Sequence, residues 1–517
     1  MYRSRVVSSI GLTFFVAACS SSSPNSQTQG NGGSSGSAQT GGGAGTTSAA
    51  GAPDADAGAG ASVGGGAGAA ADLPDVVTSA DGAFWQTGTL TPVTEGTADV
   101  TVDDSDVKQR WDGFGGTFNE AGWDALAVLS PSDRQLALRY LFDAANGANF
   151  AYGRLPIGAS DYALARYTLD DSPNDYTMAN FSIDHDKLLL IPYIKAALAI
   201  KPDIHLWASP WTPPAWMKDS NSVDGGNMLD DPQILAAYAL YLEKYVQGYA
   251  AEGLTVEAIH PQNEPGYGLA YPTCLWTADL YIKFVRDYLG PRFAQDNVPA
   301  QIWCGTMSAQ ADTPIAKGLI QDPTAMAYVK GFGLQWEVKK LIPSLTPTSL
   351  PVMQTEHKCG NYFFNTPYWD VSRFDPDKPQ NDYAYGIESW LNIRDWINAG
   401  VNSYSAWNMV LDTLGANLDA MMPWHQNALL TVDRDKKTLI VTPAYYVFRH
   451  LSQFVAPMAT VIGVTGGDAV AFKNPDGALV VVMYNSGDAK QAIVSLGGTK
   501  VQVDLPANGW ATIHHMK

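Results

Sequence analysis

From Trp111 onward the chain alternates two hydrophobic rhythms. Short apolar runs bounded by turn residues read as buried strands: WDGFGGTF (111–118), NFAYGRLPIG (149–158), DIHLWASPW (203–211) and TVEAIHPQNEP (255–265). Four more follow: AQIWCGT (300–306), YVKGFGLQW (328–336), LPVMQTE (350–356) and NSYSAWNMVL (402–411). Between them lie stretches with apolar residues at helical spacing. These are SPSDRQLALRYLFDAA, with Ser130 and Ser132 as candidate caps, KLLLIPYIKAALAIKP and PQILAAYALYLEKYVQGYAAEG, then TADLYIKFVRDYLGPRFAQ, GIESWLNIRDWINAG and TPAYYVFRHLSQFV. Strand and helix in eight repeats predict an α/β fold, a (β/α)8 TIM barrel over residues 107–455. An open doubly wound sheet fits less well. GFGG after the first strand lacks the GxGxxG spacing and runs into FNEAGW.

At both ends of this region the period falls to two. VIGVTGGDAVAFKNPDGALVVVMYNSGDAKQAIVSLGG and KVQVDLPANGWATIHH alternate apolar and polar positions around the turn signals NPDG and NSGD. AFWQTGTLTPVTEGTADVTVD, before the barrel, is strand-like too. Residues 80–106 and 456–517 are therefore expected to form one β-sandwich side domain from both chain ends.

The first 72 residues belong to neither rhythm. Arg3 and Arg5 precede the apolar run VVSSIGLTFFVAAC, which is too short for a mature membrane span and reads as a signal peptide over 1–19. It ends in Val16-Ala17-Ala18-Cys19, which resembles a bacterial lipobox; the resemblance implies lipidation of Cys19 and a membrane attachment only through that N-terminal anchor. Residues 20–72 are nearly all Ser, Gly, Ala and Thr, with nothing to bury, and are expected to be a disordered tether. An exported protein at an outer-membrane or cell surface, facing outward, is the expected location.

Composition narrows the partners. A net charge of −19 disfavours nucleic acid or anionic lipid as a ligand for the protein's bulk. The 15 Trp and 24 Tyr supply either large cores or flat platforms for sugar rings. Cys274, Cys304 and Cys359 follow the lipobox cysteine; export permits one disulfide among them and leaves one thiol free. No Cys/His cluster suggests a metal, and no cofactor is expected.

Catalytic groups of a barrel lie at the C-terminal ends of its strands. Arg154 ends the second strand, with Asp161 seven residues on; Asn263-Glu264 end the fourth; Thr355-Glu356 end the seventh; Trp407-Asn408 lie on the eighth. Glu264 and Glu356 thus face one mouth from strands that lie across the barrel. Paired carboxylates are what glycoside hydrolysis needs, one to protonate the leaving oxygen and one to attack or to activate water. Side chains reaching inward from such strands can approach to about 5–5.5 Å, the separation of retaining enzymes. Trp207 and Trp303, inside strands, read as core.

The motifs WDGFGG, RLPIGASDYA, ASPWTPPAWMK, HPQNEP, QTEHKCG and YSAWNMVLD occur together and in this order. In this the chain resembles glycoside hydrolase family 30, which includes glucosylceramidases, endo-β-1,6-glucanases and xylanases. The resemblance covers about residues 107–517 and implies a barrel with a β-sandwich and a retaining mechanism. It implies Glu264 as acid/base, Glu356 as nucleophile, Asn263 as the amide on the sugar 2-hydroxyl and Arg154 as the cation beneath the nucleophile. Asp161, Trp211 and Trp407 match residues lining the attacked sugar's subsite, and Tyr271, Trp336 and Asn427 complete the implied sugar-binding set. Trp369, in the long segment after the seventh strand, is a further candidate. Gln335-Trp336-Glu337 departs from the glucosylceramidase pattern, where a tyrosine supports the nucleophile; Glu337 there either faces away or adds negative charge. ASPWTPPAWMK and GFGLQW look most like the endo-β-1,6-glucanase branch. The expected substrate is a polysaccharide or oligosaccharide: β-1,6-glucan first, then a glucosylceramidase-type β-glucoside, then xylan, whose glucuronate the negative charge disfavours. The alternative of another class is a non-catalytic, tethered carbohydrate-binding lipoprotein.

Overall fold

The computed structural model describes residues 73–361, 377–418 and 425–516, apart from the side chains of Trp336 and Glu337. The signal-peptide, Cys19 and tether expectations, Trp369 and the Trp336 side chain lie outside the described residues.

Eight parallel strands close into a barrel. In chain order they are Gly113–Thr117, Tyr152–Ile157, His205–Pro210, Val256–Ile259, Gln301–Met307, Val329–Leu334, Val352–His357 and Ser403–Asn408. Each coincides with one predicted apolar run. Closure pairs the eighth strand with the first, with Tyr404 beside Phe114 and Ala406 beside Gly116. Two runs overreach. The fourth strand stops at Ile259, because Pro261 has no N–H to give to a ladder. The chain then follows the third strand's end through single bonds, His260 N to Ala208 O (2.8 Å) and Asn263 N to Pro210 O (2.8 Å). The eighth strand stops at Asn408, and Val410–Asp412 leaves it for a small sheet with Leu430–Asp433 and Thr438–Val441.

The helical segments form where periodicity places them. Ser130 caps Pro131–Phe142 by accepting from Asp133 N at 3.1 Å, while Ser132 only pairs with the Ser130 hydroxyl. Asp231 caps the 20-residue helix Pro232–Ala251, and Gly400, at φ 102°, ends Ala384–Ala399 in the left-handed region. After the sixth strand the chain makes only a 3-10 turn, Trp336–Leu341, and a four-residue helix, Ile342–Leu345. Pro343 and Pro347 there block a longer one.

The side domain is a ten-stranded sheet drawn from both chain ends. Its strands run beyond 80–106: the first is Val76–Ala80, and Val100–Trp111 reaches the barrel's doorstep. Val76 pairs antiparallel with Ile513, and Trp111 with Ala459, so the ends are stitched together. One apolar face closes on itself around Val100, Ile462, Val481 and Ile513. The other, with Val461, Phe472, Val480 and Trp510, is continuous with the barrel's core. Trp111 is fully buried at this seam, 4.7 Å from Phe114 of the first barrel strand and 5.6 Å from Phe472 of the sheet. Trp111→Ala is expected to lower unfolding free energy by about 3–5 kcal/mol, read as a lower urea midpoint. A loss under about 1 kcal/mol would contradict the role of this ring as the joint.

Candidate active site

Strand alternation turns Arg154 into the barrel, where it is fully buried. A buried cation needs partners on every face. Its Nη1 donates to Glu356 Oε1 from the seventh strand. Its Nε and Nη2 donate to the Ser209 hydroxyl at 3.1 and 2.9 Å, and Nη2 also reaches Asn263 Oδ1 at 2.7 Å. Its flat faces are covered by rings: its carbon centre lies 4.3 Å from the Trp211 ring centroid, 5.2 Å from Trp407 and 5.1 Å from Trp207. Trp211 and Trp407 stack 5.2 Å apart at 22°, both almost wholly buried. They wall the guanidinium rather than standing as open platforms.

Glu264 follows an irregular turn and has a left-handed backbone, φ 45°. Such a conformation costs a non-glycine residue of order 1–3 kcal/mol and persists where the surroundings enforce it. Here Glu264 N donates to Thr306 O at 3.0 Å, and Tyr267 N closes the turn on Glu264 O at 2.9 Å. The carboxyl takes the Gln335 amide on Oε1 at 2.7 Å and the Tyr271 hydroxyl on Oε2 at 3.3 Å. Gln335 is aimed by Thr355, whose hydroxyl donates to Gln335 Oε1 at 3.1 Å. So the residue before one candidate carboxylate helps orient the partner of the other. Gln335 was legible only as part of a departure from the family pattern; its contact spans 71 positions of sequence.

The two carboxyls differ electrically. Burial, then the Glu356 charge, then Asp312 push Glu264 up to about 8, against the opposing bond from Gln335. Burial leaves Glu356 raised as well, although the Arg154 charge and hydrogen bond pull it part of the way back. A guanidinium keeps its proton in proteins, so this pair is an anion facing a cation. The guanidinium thus stands against Glu356 alone, while Glu264, pushed up to about 8, favours its protonated form at neutral pH. Asp161 is buried, its Oδ1 without a partner among the described residues; burial first, then Glu356 and Glu264, raise it well above the carboxylate range.

Asn263 accepts from both Arg154 and the Thr306 hydroxyl (2.5 Å) on Oδ1, which leaves its amide –NH2 as the donor side. The structure therefore brings together Arg154, Asp161, Trp211, Asn263, Glu264, Tyr271, Glu356 and Trp407. Asn427 is different. Its amide donates to Gln380 O at 2.9 Å and ties a loop. Export would permit one disulfide among the cysteines, but Cys274, Cys304 and Cys359 are all free and buried, so none is bridged. Each stands among apolar neighbours, and burial pushes the Cys274 thiol up to about 12, which makes it inert.

With this geometry in place, the family descriptions decide the kinship. The "Glycosyl hydrolase family 30 TIM-barrel domain" matches residues 111–455, and the family's "beta sandwich domain" matches 459–513. The chain belongs to glycosyl hydrolase family 30. It is a glycoside hydrolase, built as the family's barrel and sandwich. Among its relatives, the lysosomal acid glucosylceramidase of Mus musculus is 29% identical over 398 residues, 73% of this chain and 75% of the mouse protein. An endo-1,6-beta-D-glucanase of Aspergillus fumigatus is 27% identical over 462 residues, 82% of this chain and 89% of that one. Among solved structures, an endo-beta1,6-glucanase superposes with a TM-score of 0.75 at 24% identity, over 86% of this chain and 99% of that chain.

The raised Glu264 has a consequence for stability. Its folded value of about 8 lies above the ordinary 4.5, so the folded protein holds a proton that the unfolded chain releases. The stability this confers is complete below about 4.5 and is lost as pH rises through about 8. Relative to wild type, Glu264→Gln should therefore gain in Tm as pH is raised from about 5 to about 9. A Tm difference that stays flat across that range would contradict the assignment.

Proposed function

We propose that the enzyme is a retaining β-glycosidase acting in the endo mode on β-1,6-glucan, by double displacement between Glu356 and Glu264. The observation that carries this reading is the asymmetry of the two carboxyls: one is paired with a buried guanidinium, and the other is held protonated in the same mouth. Glu356, ionised, attacks the anomeric carbon. Glu264 gives its proton to the leaving oxygen. Once Glu356 is bonded to sugar, its negative charge is gone, and with it one of the causes that raise Glu264. Glu264, having given up its proton, is then held more readily as the carboxylate, which takes a proton from the entering water. The Asn263 –NH2, its Oδ1 being taken by Arg154 and Thr306, binds the 2-hydroxyl beside the nucleophile.

The β-1,6-glucan preference draws on the 27% identity to the fungal endo-1,6-beta-D-glucanase over 82% of this chain, and on the likeness of ASPWTPPAWMK and GFGLQW to that branch. A second reading, an exo-acting β-glucosidase of the glucosylceramidase type, draws on the slightly higher identity to the mouse glucosylceramidase. The lipobox and tether suit an enzyme held at an outer surface and working on external polymer.

Purified protein should release oligosaccharides from β-1,6-glucan, and proton NMR should show the β anomer first. Release of glucose alone from aryl β-glucosides would favour the exo reading, and early α anomer would refute retention. Glu264→Gln should lower kcat/KM by about 10²–10⁴-fold on substrates with poor leaving groups, since it removes the acid. Wild-type kcat/KM should fall on the alkaline side near pH 8, as Glu264 loses its proton. Gln335→Leu removes a bond that favours the charged form, so this limb should move to higher pH; movement to lower pH would contradict the role given to the amide.

A further inference from the structure

A third carboxyl meets the Glu264 turn. Asp312 ends the 3-10 turn Gln310–Asp312 that follows the fifth strand, and it precedes the helix Thr313–Gln321. It is fully buried. Its side chain does not cap that helix but folds back on its own turn. Asp312 Oδ2 accepts from Ser308 N at 2.7 Å, Ala309 N at 3.2 Å and the Ser308 hydroxyl at 3.3 Å. Every one of these partners donates, which is what an ionised carboxylate requires. An Asn or Ser would close such a turn as well, without the cost of burying a charge. The charge itself is therefore the feature in need of a use.

Its place supplies one. Asp312 Oδ1 lies against Gly266, two residues past Glu264. A Cβ at Gly266 would stand 2.5 Å from Oδ1 and 2.8 Å from the Ala311 Cβ, so only glycine admits this approach. The two turns are also sewn together higher up. Glu264 N donates to Thr306 O, Thr306 N to Gln262 O at 3.2 Å, and the Thr306 hydroxyl to Asn263. The end of the fifth strand thus grips the Glu264 turn on both sides of the carboxyl-bearing residue.

Several groups act on Glu264 electrically. Glu356 comes from the seventh strand, Asp312 from the turn after the fifth, and Asp161 and Arg154 from the second strand and its loop. The neutral donors are the Gln335 amide, the Tyr271 hydroxyl and the Ser308 hydroxyl. Asp312 opposes ionisation of Glu264, and the Ser308 hydroxyl favours it. Burial raises Asp312, while the N–H groups of Ser308, Ala309 and Gly266 pull it back. Besides Glu264, Cys304 and Tyr281 also feel Asp312, and burial keeps both protonated.

We propose that Asp312 is a positioning residue for the acid/base: it fixes the Glu264 turn at Gly266, aims the Ser308 hydroxyl, and by its negative charge holds the proton on Glu264 until the leaving oxygen takes it. The inference rests on the double displacement proposed above and names a support of its acid. Glu356 loses its charge when it bonds to sugar, whereas Asp312 is not consumed. Its repulsion persists into the second step, where it makes the Glu264 carboxylate a stronger base toward water. The Ser308 hydroxyl has one hydrogen, and its bond to Asp312 is long, so it can turn to Glu264 when that carboxyl ionises.

The test records kcat/KM against pH for wild type, Asp312→Asn, Ser308→Ala and Ser308→Thr. One substrate is a β-1,6-linked gluco-oligosaccharide, whose leaving group needs the acid. The other is a dinitrophenyl β-glucoside, whose leaving group does not. On the first, Asp312→Asn should move the alkaline limb to lower pH by about half a unit or more. Ser308→Ala should move it to higher pH, and Ser308→Thr, which keeps the hydroxyl, should leave it in place. On the second, all variants should keep their first-step rates, which shows that the site is folded. If Asp312→Asn yields no folded enzyme, Ser308→Ala decides: a rise supports the proposal, and a limb that stays or falls overturns it. A limb unmoved or raised in folded Asp312→Asn also overturns it, as does an equal loss on both substrates. Such a result leaves the double displacement standing when a trapped 2-deoxy-2-fluoro sugar is found on Glu356. Label elsewhere overturns both.

Discussion

The molecule is organised around one buried cation. Arg154 has no access to water, and an isolated guanidinium there would be strongly unfavourable. It is tolerated because Glu356, Ser209 and Asn263 take its N–H groups and three tryptophans cover its faces. Those partners come from the third, fourth, seventh and eighth strands or their ends, and Arg154 from the second. Only a closed barrel delivers five separate segments to one point. The ion pair is thus a constraint on the fold as well as on the chemistry. Removing either partner strands a buried charge; replacing Arg with Lys loses the fork that holds three acceptors at once.

The same constraint divides the two glutamates. Both are carried by the barrel mouth, and burial acts on both in the same direction. Arg154 touches one of them. The guanidinium favours the charged form of Glu356, and that charge in turn favours the proton on Glu264. The proposed roles follow from which carboxyl has the guanidinium. The left-handed turn at Glu264 and the Gln335–Thr355 relay hold the second carboxyl in place without supplying a charge that would ionise it.

Much of this was legible in the sequence, for physical reasons. Barrel strands are buried on both faces, so they read as continuous apolar runs, and all eight were placed. Glu264, Glu356 and Arg154 were readable because the barrel puts strand ends at one mouth. What failed to read depended on contacts across the barrel. HPQNEP looks like more strand, but Pro261 ends the ladder and leaves the turn that aims Glu264. Val410–Asp412 continues the apolar run of the eighth strand and yet joins another sheet. Trp211 and Trp407 were legible as subsite residues; that they first enclose Arg154 depends on packing. Gln335 looked like a departure from pattern, because its partner is remote. The three cysteines gave no spacing from which pairing could be judged, and all are free. Trp207 is buried, as its place inside a strand suggests, but Trp303 is only half-buried, because it lines a cavity at the barrel's other mouth. Asp312 was invisible for the same reason as Gln335: it meets the Glu264 turn only in the closed barrel.

The central claim is that Glu356, paired with Arg154, is the group that bonds to sugar, while Glu264 carries the proton. A 2-deoxy-2-fluoro-β-glucoside with a good leaving group tests it most directly, because the slowed second step leaves the sugar on the enzyme. Digestion and mass spectrometry of the trapped protein should locate the label on Glu356, in the peptide containing QTEHK. Label on Glu264, on Asp161 or on no residue at all would contradict the account.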